Sequence, residues 1–135
     1  MTDLQMFLLN NNVAEIKKEV VISDRLKNFP FTISCVTGKQ LEDYQRRCVK
    51  NPNNPKKREF DASMFNELMI INHCVNPNFK DAEWMQNAGC PTDSRALLYK
   101  TLTGGEITNL VLEIEKLSGF SNEDLDEIKE ETKNS

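Results

Sequence analysis

The stretch from Thr103 to Phe120, TGGEITNLVLEIEKLSGF, constrains the fold more than any other, because it spells out one helix with start, buried stripe and stop. Thr103 and Glu106 have capping-box spacing, in which the threonine hydroxyl accepts from the N3 amide and the glutamate reaches back to the cap amide. Ile107, Leu110, Val111, Ile114 and Leu117 recur at three- and four-residue steps and share one face. Gly119 supplies the stop, and Phe120 is placed to fold back on the last turn. Such a helix needs a body to pack against, and it carries no chemistry of its own.

The rest of the chain divides by periodicity. Thr2 and Gln5 repeat the capping box, predicting a short first helix with Leu4, Phe7 and Leu8 on one face and an end at Asn10 to Asn12. From Glu15 the period drops to two. Ile16, Val20 and Ile22 fall on one side of an extended segment, with Lys17, Glu19 and Val21 opposite and Lys18 interrupting near the edge. Phe29, Phe31, Ile33 and Cys35 alternate in the same way against Thr32, Ser34 and Val36, with Pro30 near the strand's start, where a missing amide is tolerated. The short polar connection 23–28 makes the two segments an antiparallel hairpin.

A third capping box, Thr37 with Gln40, predicts a helix through about Lys50 that turns Leu41, Tyr44 and Cys48 inward. NPNNP followed by Lys56, Lys57 and Arg58 predicts a mobile basic loop over about 51–58. Helicity resumes near Asp61 with Phe60, Met64, Leu68, Ile71 and Val75 on one face, and Pro77 ends it. Asn78 is placed to cap a short helix holding Phe79, Ala82 and Trp84, closed by Gly89 to Pro91. Thr92 or Asp93 starts another, carrying Ala96, Leu97 and Leu98. After the Thr103 helix, Ser121 with Asp124 predicts a last one containing Leu125 and Ile128, before a polar tail at about 131–135. The expected fold is a single α+β domain over 1–135, predominantly α-helical, with an N-terminal β-hairpin followed by a small helical bundle.

Little in the chain points to chemistry. A net charge of −4 over 135 residues makes no overall case for nucleic acid or membrane. The longest apolar runs, Met6 to Leu9 and Leu68 to Ile71, fall far short of the roughly 20 residues that cross a bilayer. The N-terminus lacks the basic segment and long apolar core of a secretory signal, which predicts a cytoplasmic protein with no membrane partner. Cys35, Cys48, Cys74 and Cys90 are scattered without paired spacing, as buried small apolar residues of a reducing compartment would be. His73 beside Cys74 pairs two zinc-binding side chains, but neighbours on a helix project about 100° apart. The expected arrangement is Cys74 inward and His73 near the helix edge, with no metal or cofactor. His73 is also the single histidine available to activate a nucleophile, and no G-x-S-x-G motif is present. Gly104 and Gly105 precede a helix N-terminus without the P-loop lysine. The carboxylates from Glu123 to Glu131 read as a solvated face. No catalytic residue is expected.

Charge is nevertheless polarised along the chain. Arg46, Arg47, Lys50, Lys56, Lys57 and Arg58 form a basic cluster flanked by Tyr44 and Phe60, without an aromatic inside it for base stacking. From Glu106 to Ser135 there are nine acidic residues against three lysines. The cluster is suited to an acidic partner or to the acidic end of another copy, with nucleic acid as the alternative.

The ordered pieces resemble a known family. FTISCVT, GKQLEDYQRRCVK, ELMIINHCVNPNFKDAEWMQNAGC and ALLYKTLTGGEITNLVLEIEKLSGF together resemble the XkdN-like tail assembly chaperones of phages and prophages, over nearly the whole chain. The most specific portions are Cys74 to Met85 and Leu102 to Phe120. The resemblance implies a non-enzymatic protein of the bacterial host cytoplasm that binds the tape measure protein and keeps it soluble until tail tube subunits polymerise around it. Self-association is a further expectation. The docking helices are expected in the C-terminal half, where Asn109, Glu113 and Lys116 mark an exposed face. A structural tail component retained in the particle, and a nucleic-acid-binding protein using 46–58, are the alternative functions.

Overall fold

A computed structural model describes residues 1–120. Six helices and five short strands run in the order α1 (Asp3–Asn10), β1 (Lys17–Val20), β2 (Phe31–Ser34), α2 (Gly38–Arg47), β3 (Val49–Lys50), β4 (Glu59–Phe60), α3 (Ala62–His73), β5 (Cys74–Asn76), α4 (Ala82–Asn87), α5 (Ser94–Thr101) and α6 (Gly104–Leu117) among the described residues. The α+β class expected from the sequence holds. The last predicted helix and the polar tail lie outside the described residues.

All three capping boxes form, on Thr2, Thr37 and Thr103, each with both reciprocal hydrogen bonds. They formed where the sequence placed them because a capping box is a local interaction among four consecutive residues. At the far end of α6, the Phe120 amide donates to the Glu115 carbonyl and the Gly119 amide to Lys116, with Gly119 at φ +86°. This double hydrogen bond satisfies carbonyls that the helix leaves open, and the left-handed residue it requires suits glycine. Leu110, Val111 and Ile114 of the predicted stripe are buried, while Ile107 and Leu117 lie at its margin.

The hairpin also forms, with Lys18 opposite Ile33 and Val20 opposite Phe31. Val20, Ile22, Phe31, Ile33 and Cys35 point inward as their alternation requires. Ile16 and Phe29 do not; Phe29 is 70% exposed, because pairing begins only at Phe31. Strand β5, which periodicity does not reveal, pairs antiparallel with β2 and makes it the central strand of a three-stranded sheet. Helix α3 therefore ends at His73, and Cys74 passes straight into the sheet. Helix α2 stops at Arg47 rather than Lys50, since Val49 and Lys50 pair with Phe60 and Glu59 and close the basic loop into a two-stranded ribbon. Asp81, not Asn78, caps α4, and Asp93 caps α5.

Helix α3 departs most from its expected orientation. Its core residues are Phe65, Met69, Ile70 and His73, whereas Met64, Leu68 and Ile71 are only partly buried and Val75 is exposed. Apolar residues lie on both sides of this helix, so periodicity alone names two candidate faces. The core joins α3 and α6 to the inner face of the sheet, with Tyr44, Phe79, Leu97 and Leu98 completing it. Each fully buried large side chain there stabilises the fold by about 1.5–3 kcal/mol through area removed from water.

Candidate functional site

Four polar side chains are buried among the described residues, Glu67, His73, Glu106 and Glu115, and the first three are held by structural partners as follows. Glu106 is 2% exposed. Its carboxylate accepts from the Thr103 amide at 2.9 Å, Ser23 Oγ at 2.6 Å, and Arg25 Nε and Nη2 at 2.9 and 2.6 Å. The Arg25 guanidinium, with Ser23 and the cap amide, holds its carboxyl down at about 2 against the burial that would raise it. The positive end of α6 is thus occupied by the chain's own carboxylate, which closes the Gly104–Gly105 corner as an anion site.

His73 is fully buried, not at the helix edge. Its ring bridges Tyr44 Oη at 2.8 Å from Nε2 and Ser34 Oγ at 3.3 Å from Nδ1. Burial, aided by the Lys80 charge, pushes its pKa down to about 4, so the ring is neutral at pH 7 and ties α2, β2 and α3 together. Cys74 is buried beside it, with burial raising its thiol to about 12, and Cys48 is raised to about 11 in the same way. Thiols held in that range are protonated and inert. No group of three or more metal-binding side chains converges among the described residues. The third group, Glu67, pairs with Arg95 at 2.5 Å, and Arg95 stacks over Tyr99.

The basic cluster is partly neutralised where it lies on helix. Arg46 pairs with Glu42 and Arg47 with Asp43 one turn back, and Lys50 lies 3.8 Å from Asp61. Lys56, Lys57 and Arg58 lie in the ribbon loop, where Arg58 donates to the Pro52 carbonyl and Asn51 to that of Lys57. At the face expected from Asn109, Glu113 and Lys116, Asn109 and Lys116 are exposed and Glu113 is partly buried. Asn109 donates to the Ile22 carbonyl across the interface with the hairpin, and Lys116 pairs with Glu113. The apolar stripe of α6 is spent on the core.

The feature without an internal purpose is α1. None of its residues is buried, and residues 1–19 are exposed throughout. Leu4, Phe7 and Leu8 form one stripe, 66%, 61% and 61% exposed, with Met6 and Leu9 on the other side. Together with Met1 they expose on the order of 600 Å² of largely apolar residue surface, at roughly 100 Å² each. The connection to the sheet is ordered by its own hydrogen bonds. Asn11 donates to the Phe7 carbonyl, Asn12 caps a turn at Val13–Glu15, and the Cys35 amide anchors the Ile16 carbonyl. Periodicity identified the α1 stripe but not its exposure, since a stripe facing a core and one facing a partner read alike. A second apolar surface lies on α3. Met64, Leu68 and Ile71 floor a groove of about 470 Å³ rimmed by Asp61, Glu67 and Arg95.

The described residues thus combine an apolar helix that is exposed along its length with buried polar groups tied into structural hydrogen bonds. A family model described as the phage XkdN-like tail assembly chaperone protein matches residues 4–133. The chain belongs to the XkdN-like phage tail assembly chaperone family. The match begins at Leu4, so it takes in α1 as well as the packed body. The crystal structure of the protein YqbN shares the fold of this chaperone-family member, with a TM-score of 0.68 and 23% identity over 90% of this chain and 99% of that one. No curated protein matches.

Proposed function

We propose that this chaperone-family protein binds the tape measure protein during tail assembly and that α1 is the element that engages it. A tape measure is a long helical protein whose apolar stripes lie open until tube subunits surround it. Packing such a stripe against Leu4, Phe7 and Leu8 would cover both surfaces by helix-to-helix contact. The observation that carries this reading is the exposure of α1: the one strongly apolar helix in the described chain that contributes nothing to the core. Binding by several copies along one tape adds avidity and negative charge.

The test is co-expression with the tape measure protein. The wild-type chain should recover a soluble complex, and the Phe7→Asp/Leu8→Asp variant should not, although its far-ultraviolet circular dichroism stays that of the folded wild type. A tape measure that stays soluble and bound with the variant would remove α1 from this role. One that never forms a complex with the wild type would end the chaperone reading itself.

A further inference from the structure

We infer that, in the absence of a client, two copies exchange their N-terminal helices, with α1 of each seated in the α3 groove of the other. The two surfaces match in chemistry and length. The Leu4, Phe7 and Leu8 stripe lies on a helix about 12 Å long, and Met64, Leu68 and Ile71 floor the groove over about 10 Å of α3. Asp3 is the only charged side chain of α1, and Arg95 is the most exposed charge at the groove rim, its side chain 69% accessible. Arg95 is already paired with Glu67, and Asp61 leaves the rim acidic on balance, so the match rests on the apolar surfaces rather than on charge.

Area argues for exchange rather than for a single docking event. One stripe of three residues and the groove floor beneath it would together cover on the order of 600 Å², which is the scale of a fortuitous contact. Two such contacts related by a two-fold axis cover about 1,200 Å², where specific interfaces begin. The linker favours a second copy over the helix's own body. Residues 11–16 are held by the Asn11 and Asn12 side chains, by the turn at Val13–Glu15 and by the sheet hydrogen bond at Ile16, an arrangement that projects α1 outward instead of slackening to let it fold back. The exchange shields the surface assigned above to the client, so a client would compete with the second copy for α1.

Sedimentation equilibrium of the full-length chain alone tests the exchange. The expected mass is twice the monomer's 15.5 kDa, and Phe7→Asp should weaken the dimer at least tenfold while its far-ultraviolet circular dichroism stays that of the folded wild type and its Tm loses the wild type's dependence on concentration. A second measurement fixes the geometry. One batch carries Phe7→Cys and another Leu68→Cys, each with the half-exposed Cys90→Ala; mixed with oxidised glutathione, they should form a covalent heterodimer joining the two positions. A monomer at every concentration, a dimer indifferent to Phe7→Asp, or Phe7→Cys chains joining one another in preference to Leu68→Cys would each overturn it. No client is present in either measurement, so failure here leaves the tape measure reading standing, and failure there leaves the dimer.

Discussion

Replacing Glu106 separates two jobs that one carboxylate performs. Glu106 completes the capping box of α6 and neutralises Arg25 across a chain separation of 81 residues. Gln5 and Gln40 fill the equivalent position in the other two boxes, so Glu106→Gln keeps the cap while removing the charge. Its cost is then the charged hydrogen bonds to Arg25 and Ser23. Because the Arg25 side chain is 54% exposed and can return to water, that cost is discounted to about 1–3 kcal/mol. Glu106→Ala also leaves the Thr103 amide open and adds about 1 kcal/mol. The pH dependence carries the sign. The folded carboxyl sits at about 2, below its ordinary 4.5, so its contribution is complete above pH 4.5 and fades as pH falls toward 2. Urea titrations followed by far-ultraviolet circular dichroism at pH 7, 4 and 2.5 measure both effects. The gap between wild type and Glu106→Gln should be widest at pH 7 and narrow with acidification. A Gln variant as stable as wild type at pH 7, or a gap that stays constant to pH 2.5, would refute the assignment.

His73 acts in a different window. Its folded pKa of about 4 lies below the ordinary 6.5, so the unfolded chain takes up the proton first, and as much as about 3 kcal/mol should be lost as pH falls from 6.5 to 4; proton NMR of the ring should show no titration above pH 5. Leu110→Ala should cost about 2–5 kcal/mol in urea melts, while Leu68→Ala on the groove side of α3 should cost much less, because Leu110 is fully buried and Leu68 only partly. Gly119→Ala should lower stability by about 1 kcal/mol, read as a Tm shift of a few degrees, because φ there is +86°.

Features that depend on neighbours in sequence were legible. The three threonine caps, the Gly119 stop and the Val20 to Cys35 alternation each follow from a few adjacent residues. Features decided by tertiary packing were not. The sequence of α3 offers Phe65 and Met69 as readily as Met64 and Leu68, and only packing against α6 and the sheet chooses between them. Strand β5 is three residues following a helix without a break, too short to carry its own period. His73 has a neighbour, Cys74, that drew attention to metals, whereas its actual partners Ser34 and Tyr44 lie 39 and 29 residues away. The exposure of α1 was hidden for a related reason: a sequence shows that residues are apolar, not what covers them.

The isolation of α1 also sets how it responds when something does cover it. Eight residues fall below the roughly 12–15 at which a lone helix becomes marginally stable in water, and among the described residues a capping box and one asparagine bond support a helix with no buried residue. Its backbone hydrogen bonds should be the first among the described helices to open, and docking should close them. Part of any binding energy is therefore spent on ordering the helix, which makes contacts through α1 weak singly and readily reversed. Amide exchange at Met6 to Asn10 becomes a gauge of occupancy, blind to the rest of the fold.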